Sequence, residues 1–502
     1  MDRMGKDGGL IMDSYIMVIA VLLPILGGVL IPFLPFGKRN IMAAYIEIIV
    51  LITSALTFML IFNRPVDAFV LFRFTGQLSI SFRLDATGSV FATILAFMWP
   101  LATLYSFEYM KHEGHEKIFF MFYTITFGVT LGIAMAEDIV TLYFFYEMLT
   151  LVTVPLVLHT LSREAVLATR TYLYYSIGGA AFAFIGMIFV LFYGNTSNFI
   201  PGGVMDLSKM GGNINLLLLI YVICFCGFSV KAAMCPFSDW LPQAGVAPTP
   251  VTALLHAVAV VKAGAFATLR ITYFSFGTEL LRGTWAQYLL MALVIFTIVY
   301  GCSRALKETH LKRRLAWSTV SNLSYILFGV LLMSPIGLAG ALTHMLSHAL
   351  MKICAFFCAG AVIYKTGRNY IHQLDGFGKK MPWVFGTYTV SAMALMGVPG
   401  LCGFISKWYL AKGAVESLNP LGYIGLAAIL ISALLTAIYM LTITVRAFFP
   451  EKGFDYEKIS DVEDPNWVML LPLTIFVIAM FIIGLHPQIM VDAVSGVVAS
   501  VF

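Results

Sequence analysis

Residues 341–360 read ALTHMLSHALMKICAFFCAG, an apolar run in which His344, His348 and Lys352 recur at four-residue steps. In an α-helix that period puts all three on one face, each step rising about 6 Å along the axis. The surrounding stretch, 336 to 364, exceeds the roughly 20 apolar residues needed to cross a bilayer, so it is read as a membrane helix with a titratable stripe. Charge at that depth costs roughly 2.5 to 3.5 kcal/mol per group on insertion scales, and imidazole exchanges protons near neutral pH. The stripe is therefore a candidate proton relay. The competing reading is that each histidine only satisfies a backbone carbonyl or a nearby serine; a single histidine would favour it, and three aligned groups favour the relay.

The same signature recurs along the chain. Lys231, Lys262 and Lys407 lie in other apolar stretches, and Glu147 sits in TLYFFYEMLTLVTVPLVL at 141–158. Lysines near helix ends can lift their ammonium groups to the headgroups, which suits Lys365 and Lys412, but Lys231 and Lys352 read as lying well inside their segments.

Composition agrees: the 502 residues are 60% hydrophobic and 11% charged, with a mean hydropathy of +0.90. This predicts an all-α polytopic membrane protein with about 14 transmembrane helices. The spans read as 12–35, 41–61, 85–108, 118–136, 139–159, 171–193, 214–234, 249–275, 286–302, 315–333, 336–364, 382–413, 421–448 and 466–485, one membrane domain over 1–502. The first is read as a retained span, without a small-x-small cleavage site. Between spans, 62–84 alternates Ser with apolar residues around Gly76 and predicts a small surface hairpin. Lys and Arg crowd one set of loops, Lys38, Arg39, Lys111, Lys117, Arg163, Arg170 and the run Lys312–Arg314 among them. The other side has only Arg3, Lys6, Arg64, Arg73, Arg83, Lys209 and Arg282, so both termini are predicted outside a cell membrane. No basic, aromatic-interleaved surface suggests nucleic acid.

The seven cysteines form no CxxC pair; Cys354 and Cys358 share a helix face but lack a flanking ligand pair. No metal, cofactor-binding or catalytic residue is nominated, and any redox centre is assigned to partners.

Helix breaks are the second clue. Pro242, Pro248 and Pro250 precede the apolar stretch bearing His256 and Lys262, and Gly397-Val398-Pro399-Gly400 interrupts a span just before Lys407. Unwound backbone at membrane depth is tolerated where it is buried in protein or lines a wet cavity. His256 and Lys262, six residues apart, share one path only if the helix is locally unwound, for example by a π-bulge, with Gly264 leaving room. Lys262 is the stronger candidate and His256 the secondary one.

The runs YFFYEMLTL, FSVKAAMCPFSDWLPQAGVAPTPVTALLHAVAVVKAG, KRRLAWSTVSNLSYILFGV, HMLSHALMKICAFFCAGAVI and GFISKWYLAKGAVE resemble the antiporter-like membrane subunits shared by respiratory complex I (NADH:quinone oxidoreductase), membrane-bound hydrogenases and Mrp-type Na+/H+ antiporters. The resemblance implies two inverted five-helix repeats with broken helices, 118–275 for helices 4–8 and 286–448 for helices 9–13. It also implies a midplane proton path through Glu147, Lys231, Lys262, His344, His348, Lys352 and Lys407, with Glu147 and Lys231 as a coupling ion pair. Lysine at 407, where some complex I subunits carry glutamate, and the phrases APTPVTALLHAVAVVKAG and GFISKWYL look most like the D subunit of Mrp-type antiporters. The end of the chain, HPQIMVDAVSGVVASVF, is read as lacking the lateral helix of the largest complex I subunit. Expected partners are other membrane subunits, lipid, protons and Na+.

Glu47, within the second span, departs in detail from the resemblance; it is read as a lipid-facing neutral acid, a lateral partner contact or an accessory ion site. Two further classes are weighed. A quinone-binding redox subunit would nominate His159, Tyr172, Tyr174 and Tyr175, although interfacial tyrosines are ordinary belt residues. A self-contained solute transporter would place polar ligands at the breaks, where this chain has lysines.

Overall fold

The computed structural model describes residues 2–63, 67–76 and 78–502, with side chains from Tyr15 onward; Arg64 and the side chains of Arg3 and Lys6, counted among the loop charges, lie outside what is described. The described chain is mostly helical. Its long elements are α1 (Asp2–Leu30), α2 (Arg39–Asn63), α3 (Ala86–Tyr109), α4 (Glu116–Ala134), α5 (Ile139–Val157), α6 (Arg163–Tyr193), α7 (Ile214–Ser229) and α8 (Thr249–Phe276). They continue with α9 (Trp285–Lys307), α10 (Leu311–Leu331), α11 (Pro335–Thr366), α12 (Pro382–Met396), α13 (Cys402–Glu416), α14 (Pro420–Phe448), α15 (Trp467–Leu485) and α16 (Gln488–Val501). Among the described residues, ten helices are long and apolar enough to cross a membrane.

Burial orders them. α8 is buried along its whole length and α11 nearly so, whereas only 33% of the apolar window of α15 is covered. In a lipid solvent the covered helices form the centre and the half-covered ones the rim, because apolar surface needs no protein cover there. α11 packs on α3, α8, α10, α12, α13, α15 and α16. The titratable stripe thus sits on the central pillar of the bundle.

The hairpin falls where the sequence placed it, as β1 (Phe69–Thr75) paired antiparallel with β2 (Leu78–Phe82). β1 is largely exposed, while Ile80, Ser81 and Phe82 of β2 are buried over α5, Ser81 N donating to Thr141 Oγ1 at 2.9 Å. The hairpin, the loop before α7 and the end of α8 make one cap: Phe199 N donates to Glu137 O and Val204 N to Ser275 O.

Three expectations change. α7 stops at Ser229, so Lys231 lies on the following turn and not inside a helix; Ala233 has φ 56 and Pro236 cannot supply a helical N–H. Lys312 and Arg314, counted as loop charges, are buried within α10, at 6% and 7% exposure, because their side chains answer backbone carbonyls. The segment after α15 forms α16, whose Met490, Val494 and Val497 are buried.

Candidate functional site

The end of α7 is a finished structure. Tyr146 of α5 donates its hydroxyl to Phe228 O at 2.9 Å, and Trp240 Nε1 donates to Val230 O at 2.9 Å, so two carbonyls freed by the stop are answered by side chains. Lys231, 1% exposed, projects from this turn toward α5. Its ammonium donates to the Tyr146 carbonyl and lies 3.4 Å from the centroid of the Tyr146 ring. Gly264 of α8 packs on the same turn, since a Cβ there would lie 2.5 Å from Ala232 N and 2.9 Å from Lys231 C.

α8 carries the distortion that the His256–Lys262 spacing called for. Leu254–Val258 form a π-turn, closed by Ala259 N donating to Leu254 O at 2.9 Å, before α-helix resumes at Val260. His256 turns toward α11, its ring 4.9 Å from that of Phe356, and neither of its ring nitrogens has a partner. Lys262 reaches α11 directly, with Nζ 2.7 Å from His348 Nδ1.

On α11 the three stripe residues are buried, and each meets a different neighbour. The His344 and His348 ring centroids are 5.9 Å apart; His344 Nδ1 lies 2.9 Å from Ser406 Oγ of α13. Lys352 donates to Leu315 O of α10 at 3.1 Å. The row therefore splits, two histidines joined to Lys262 and Ser406 and the lysine held on α10.

Lys407 follows the break between α12 and α13, where Gly397 and Gly400 adopt φ of 93° and 87°, a conformation that favours glycine. Its ammonium donates to Leu395 O at the end of α12 and lies 5.7 Å from the Tyr325 ring, which is itself 5.1 Å from the His344 ring. Tyr325 is thus the group between Lys407 and His344, a link not visible from spacing.

Glu147 is half-buried on α5, with Oε1 enclosed and unpartnered. Among the described residues it forms no salt bridge with Lys231, so the expected pair is open. The reason is rotational: Lys231 engages residue 146, and consecutive residues on an α-helix diverge by about 100°.

The four quinone candidates do not come together: Tyr174 and Tyr175 line an open cavity of about 250 Å³ with Phe182 and Phe237, and the other two lie apart from it. Tyr172 is buried against Thr153 at 2.8 Å, His159 is buried beside Phe119, and Tyr174 is exposed on the rim of α6. Cys354 and Cys358 are buried near Thr387, with 3.3 Å from Cys358 Sγ to Thr387 Oγ1.

Charged groups that the sequence reading passed over cluster beneath the hairpin cap. Arg270, 1% exposed, makes a bidentate pair with Asp85 at 2.5 and 2.6 Å, and Asp85 also caps α3 through Gly88 N. Burial would raise the Asp85 carboxyl, but Arg270 and the Gly88 N–H bring it below the usual range. Glu137 contacts Arg83 at 2.5 Å, yet burial, with Asp85 and Asp138 nearby, pushes it up to about 7. The Arg83 Nε–H is not aimed along a hydrogen bond to that oxygen, which limits what the pair returns.

Together these features define an all-α, multi-pass membrane protein with an ionisable interior. The chain belongs to the NADH:quinone oxidoreductase/Mrp antiporter transmembrane family, whose profile matches residues 136–449, and is an antiporter-like membrane subunit of that kind. It is 27% identical over 468 residues to NADH-quinone oxidoreductase subunit N of Desulforudis audaxviator (strain MP104C), covering 90% of this chain and 91% of the relative. Its fold is similar to a chain of the membrane-bound sulfane sulfur reductase, an archaeal respiratory membrane complex, with a TM-score of 0.84 and 22% identity over 97% of this chain and 98% of that one. It is also similar to a chain of the Mrp complex from Dietzia sp. DQ12-45-1b, with a TM-score of 0.83 and 19% identity over 98% and 97%.

Proposed function

We propose that this subunit moves protons across the membrane within a larger complex, through Lys231, Lys262, His348, His344 and Lys407, with Glu147 as the modulator of Lys231. Lys352 and His256 flank this route, and Tyr325 and Ser406 complete it. The observation that carries the reading is the 2.7 Å approach of Lys262 to His348, which joins α8 to the central stripe. An ammonium donating to the free lone pair of a neutral imidazole is one proton transfer away from an amine and an imidazolium. The pairing of Lys231 with Glu147 would hold a proton on the lysine, and its opening would release that proton toward Lys262. Driving a charge against 100 mV takes about 2.3 kcal/mol, within reach of one making or breaking of a buried ion pair.

The finer assignments belong to the same proposal: fourteen spans, repeats at 118–275 and 286–448, termini outside, and an Mrp-type D-like subunit exchanging H+ for a cation. The breaks after α7 and between α12 and α13, beside the buried Lys231 and the half-buried Lys407, support matching halves. A second reading is the pumping arm of a redox complex, favoured by the name of the Desulforudis relative. In that case NADH dehydrogenase or hydrogenase-type partners would hold the cofactors.

Proton movement in inverted vesicles containing the complete assembly, with Glu147→Ala and Lys231→Ala beside the native protein, tests this. Movement that needs Na+ and no reductant identifies an antiporter; movement that needs a reductant identifies the redox pump. Unchanged transport in both variants would sink the route.

A further inference from the structure

Only 39% of the apolar window of α14 is buried, so much of this helix faces lipid and its end at Phe448 marks a membrane boundary. A cavity of about 540 Å³ runs along that end, walled by Ile438, Val445 and Phe449 on the apolar side and by Asp375, Arg446 and Glu451 at the boundary. Ligand cavities are commonly about 300 to 1,000 Å³. The three apolar residues are exposed, and their spacing along α14 puts them on one face, about 16 Å from first to last. The cavity thus has a charged mouth and an apolar groove leading from it toward the membrane interior.

The charges at the mouth are incompletely matched. Arg446 offers a single nitrogen, Nη1, to Asp375 Oδ1 and Oδ2 at 3.2 and 3.4 Å, longer than the roughly 2.7 to 2.9 Å of a tight charge-assisted bond. Among the described residues its Nη2 and Nε have no protein acceptor, and the two side chains keep 42% and 35% of their surface. The pair is not needed to fasten the loop to the helix, since Gly376 N already donates to Arg446 O at 3.1 Å. Glu451, exposed just beyond α14, adds a second carboxylate that pairs with no cation among the described residues. The nearby Lys379 is turned away, its ammonium 4.7 Å from the centre of the Tyr456 ring.

We propose that this cavity holds one phospholipid of the phosphatidylethanolamine class, with its phosphate on Arg446, its ammonium against Asp375 and Glu451, and one acyl chain along Val445 and Ile438. A lipid fits the order of the walls, charge at the boundary and apolar surface below it. The free guanidinium N–H groups suit phosphate oxygens. A primary ammonium has three N–H donors for the two carboxylates, whereas the quaternary ammonium of a choline headgroup has none. An anionic headgroup would bring a phosphate but no cation to a mouth that already carries one more carboxylate than cation. None of these residues lies on the proton route above, so the failure of either idea leaves the other standing.

Photolabelling with the lipid itself is the direct test. The assembled complex is placed in phosphatidylcholine vesicles containing a trace of lipid with a diazirine on its acyl chain and an ethanolamine, choline or glycerol headgroup, and adducts on the peptide spanning Ile438–Phe449 are read by mass spectrometry. Labelling several-fold greater with ethanolamine than with either other headgroup is expected. Arg446→Gln should lower it several-fold, and Glu451→Gln, on an exposed loop where folding is not at stake, should narrow the preference for ethanolamine over choline. Equal labelling by the three headgroups, a preference for glycerol, or labelling unchanged in both variants would overturn the site. So would an absence of adducts on this stretch with every lipid, the result expected if a partner subunit covers the groove.

Discussion

Lys262 and His348, 86 residues apart in sequence, meet at 2.7 Å in the interior, the closest approach between titratable groups of α8 and α11. A lysine and a histidine in such contact share one excess proton more readily than two. Removing either should therefore break the same step: Lys262→Ala and His348→Ala should each reduce proton movement at least tenfold, and the double variant should be little worse than either single one. Additive losses in vesicle transport would show that the two act separately.

Gly264 is the spacer between α8 and the Lys231 turn. A methyl group there would meet backbone atoms, not the tip of a side chain, so it cannot be accommodated by a rotamer change. Gly264→Ala should destabilise the protein by about 1 to 3 kcal/mol and lower transport with it. An unchanged melting temperature in detergent would contradict this packing.

Arg270 is buried against a half-buried Asp85, and removing the carboxylate leaves the guanidinium charge uncompensated. Arg270→Met or Asp85→Asn should each cost about 3 to 5 kcal/mol, while the double change should recover much of the loss. Thermal unfolding of the four proteins makes the comparison.

Glu137 gives a pH signature. Its carboxyl stands near 7 in the folded protein against 4.5 in the unfolded chain, so the folded form binds the extra proton. Stability should then fall as pH rises from about 4.5 to 7, by roughly 3 kcal/mol from this group before solvent and Arg83 soften it, and stay level above. Glu137→Gln should flatten that part of the profile. Melting temperatures recorded from pH 5 to pH 8 that run parallel for the two proteins would refute it.

Much of this was legible in the chain. Spans announced themselves by length and hydropathy, and the four-residue stripe on α11 and the need for a distortion between His256 and Lys262 followed from helical periods. What stayed hidden depends on contacts between distant segments. Lys312 and Arg314 looked like loop charges because a basic run beside an apolar one is usually solvated, yet they reach Ala247 O at 2.8 Å and Tyr439 O at 2.9 Å. Tyr325 and Ser406 are ordinary membrane-helix residues until His344 is placed between them. The stop of α7 two residues before Lys231 depends on Tyr146 and Trp240, whose hydrogen bonds to the helix end no local pattern reveals.

The capped end of α7 has a mechanical consequence. Since side chains already hold the turn, Lys231 can trade the Tyr146 carbonyl for the next residue on α5 by swinging its four methylenes, with no helix having to slide. Exposed side chains change rotamer in picoseconds to nanoseconds and a buried one such as Lys231 more slowly, whereas collective helix movements take microseconds to milliseconds. On the proposed route, the stroke at this position would then be a side-chain movement within a fixed scaffold, and the tempo of the subunit would be set by the supply of charge and not by the hardware that carries it.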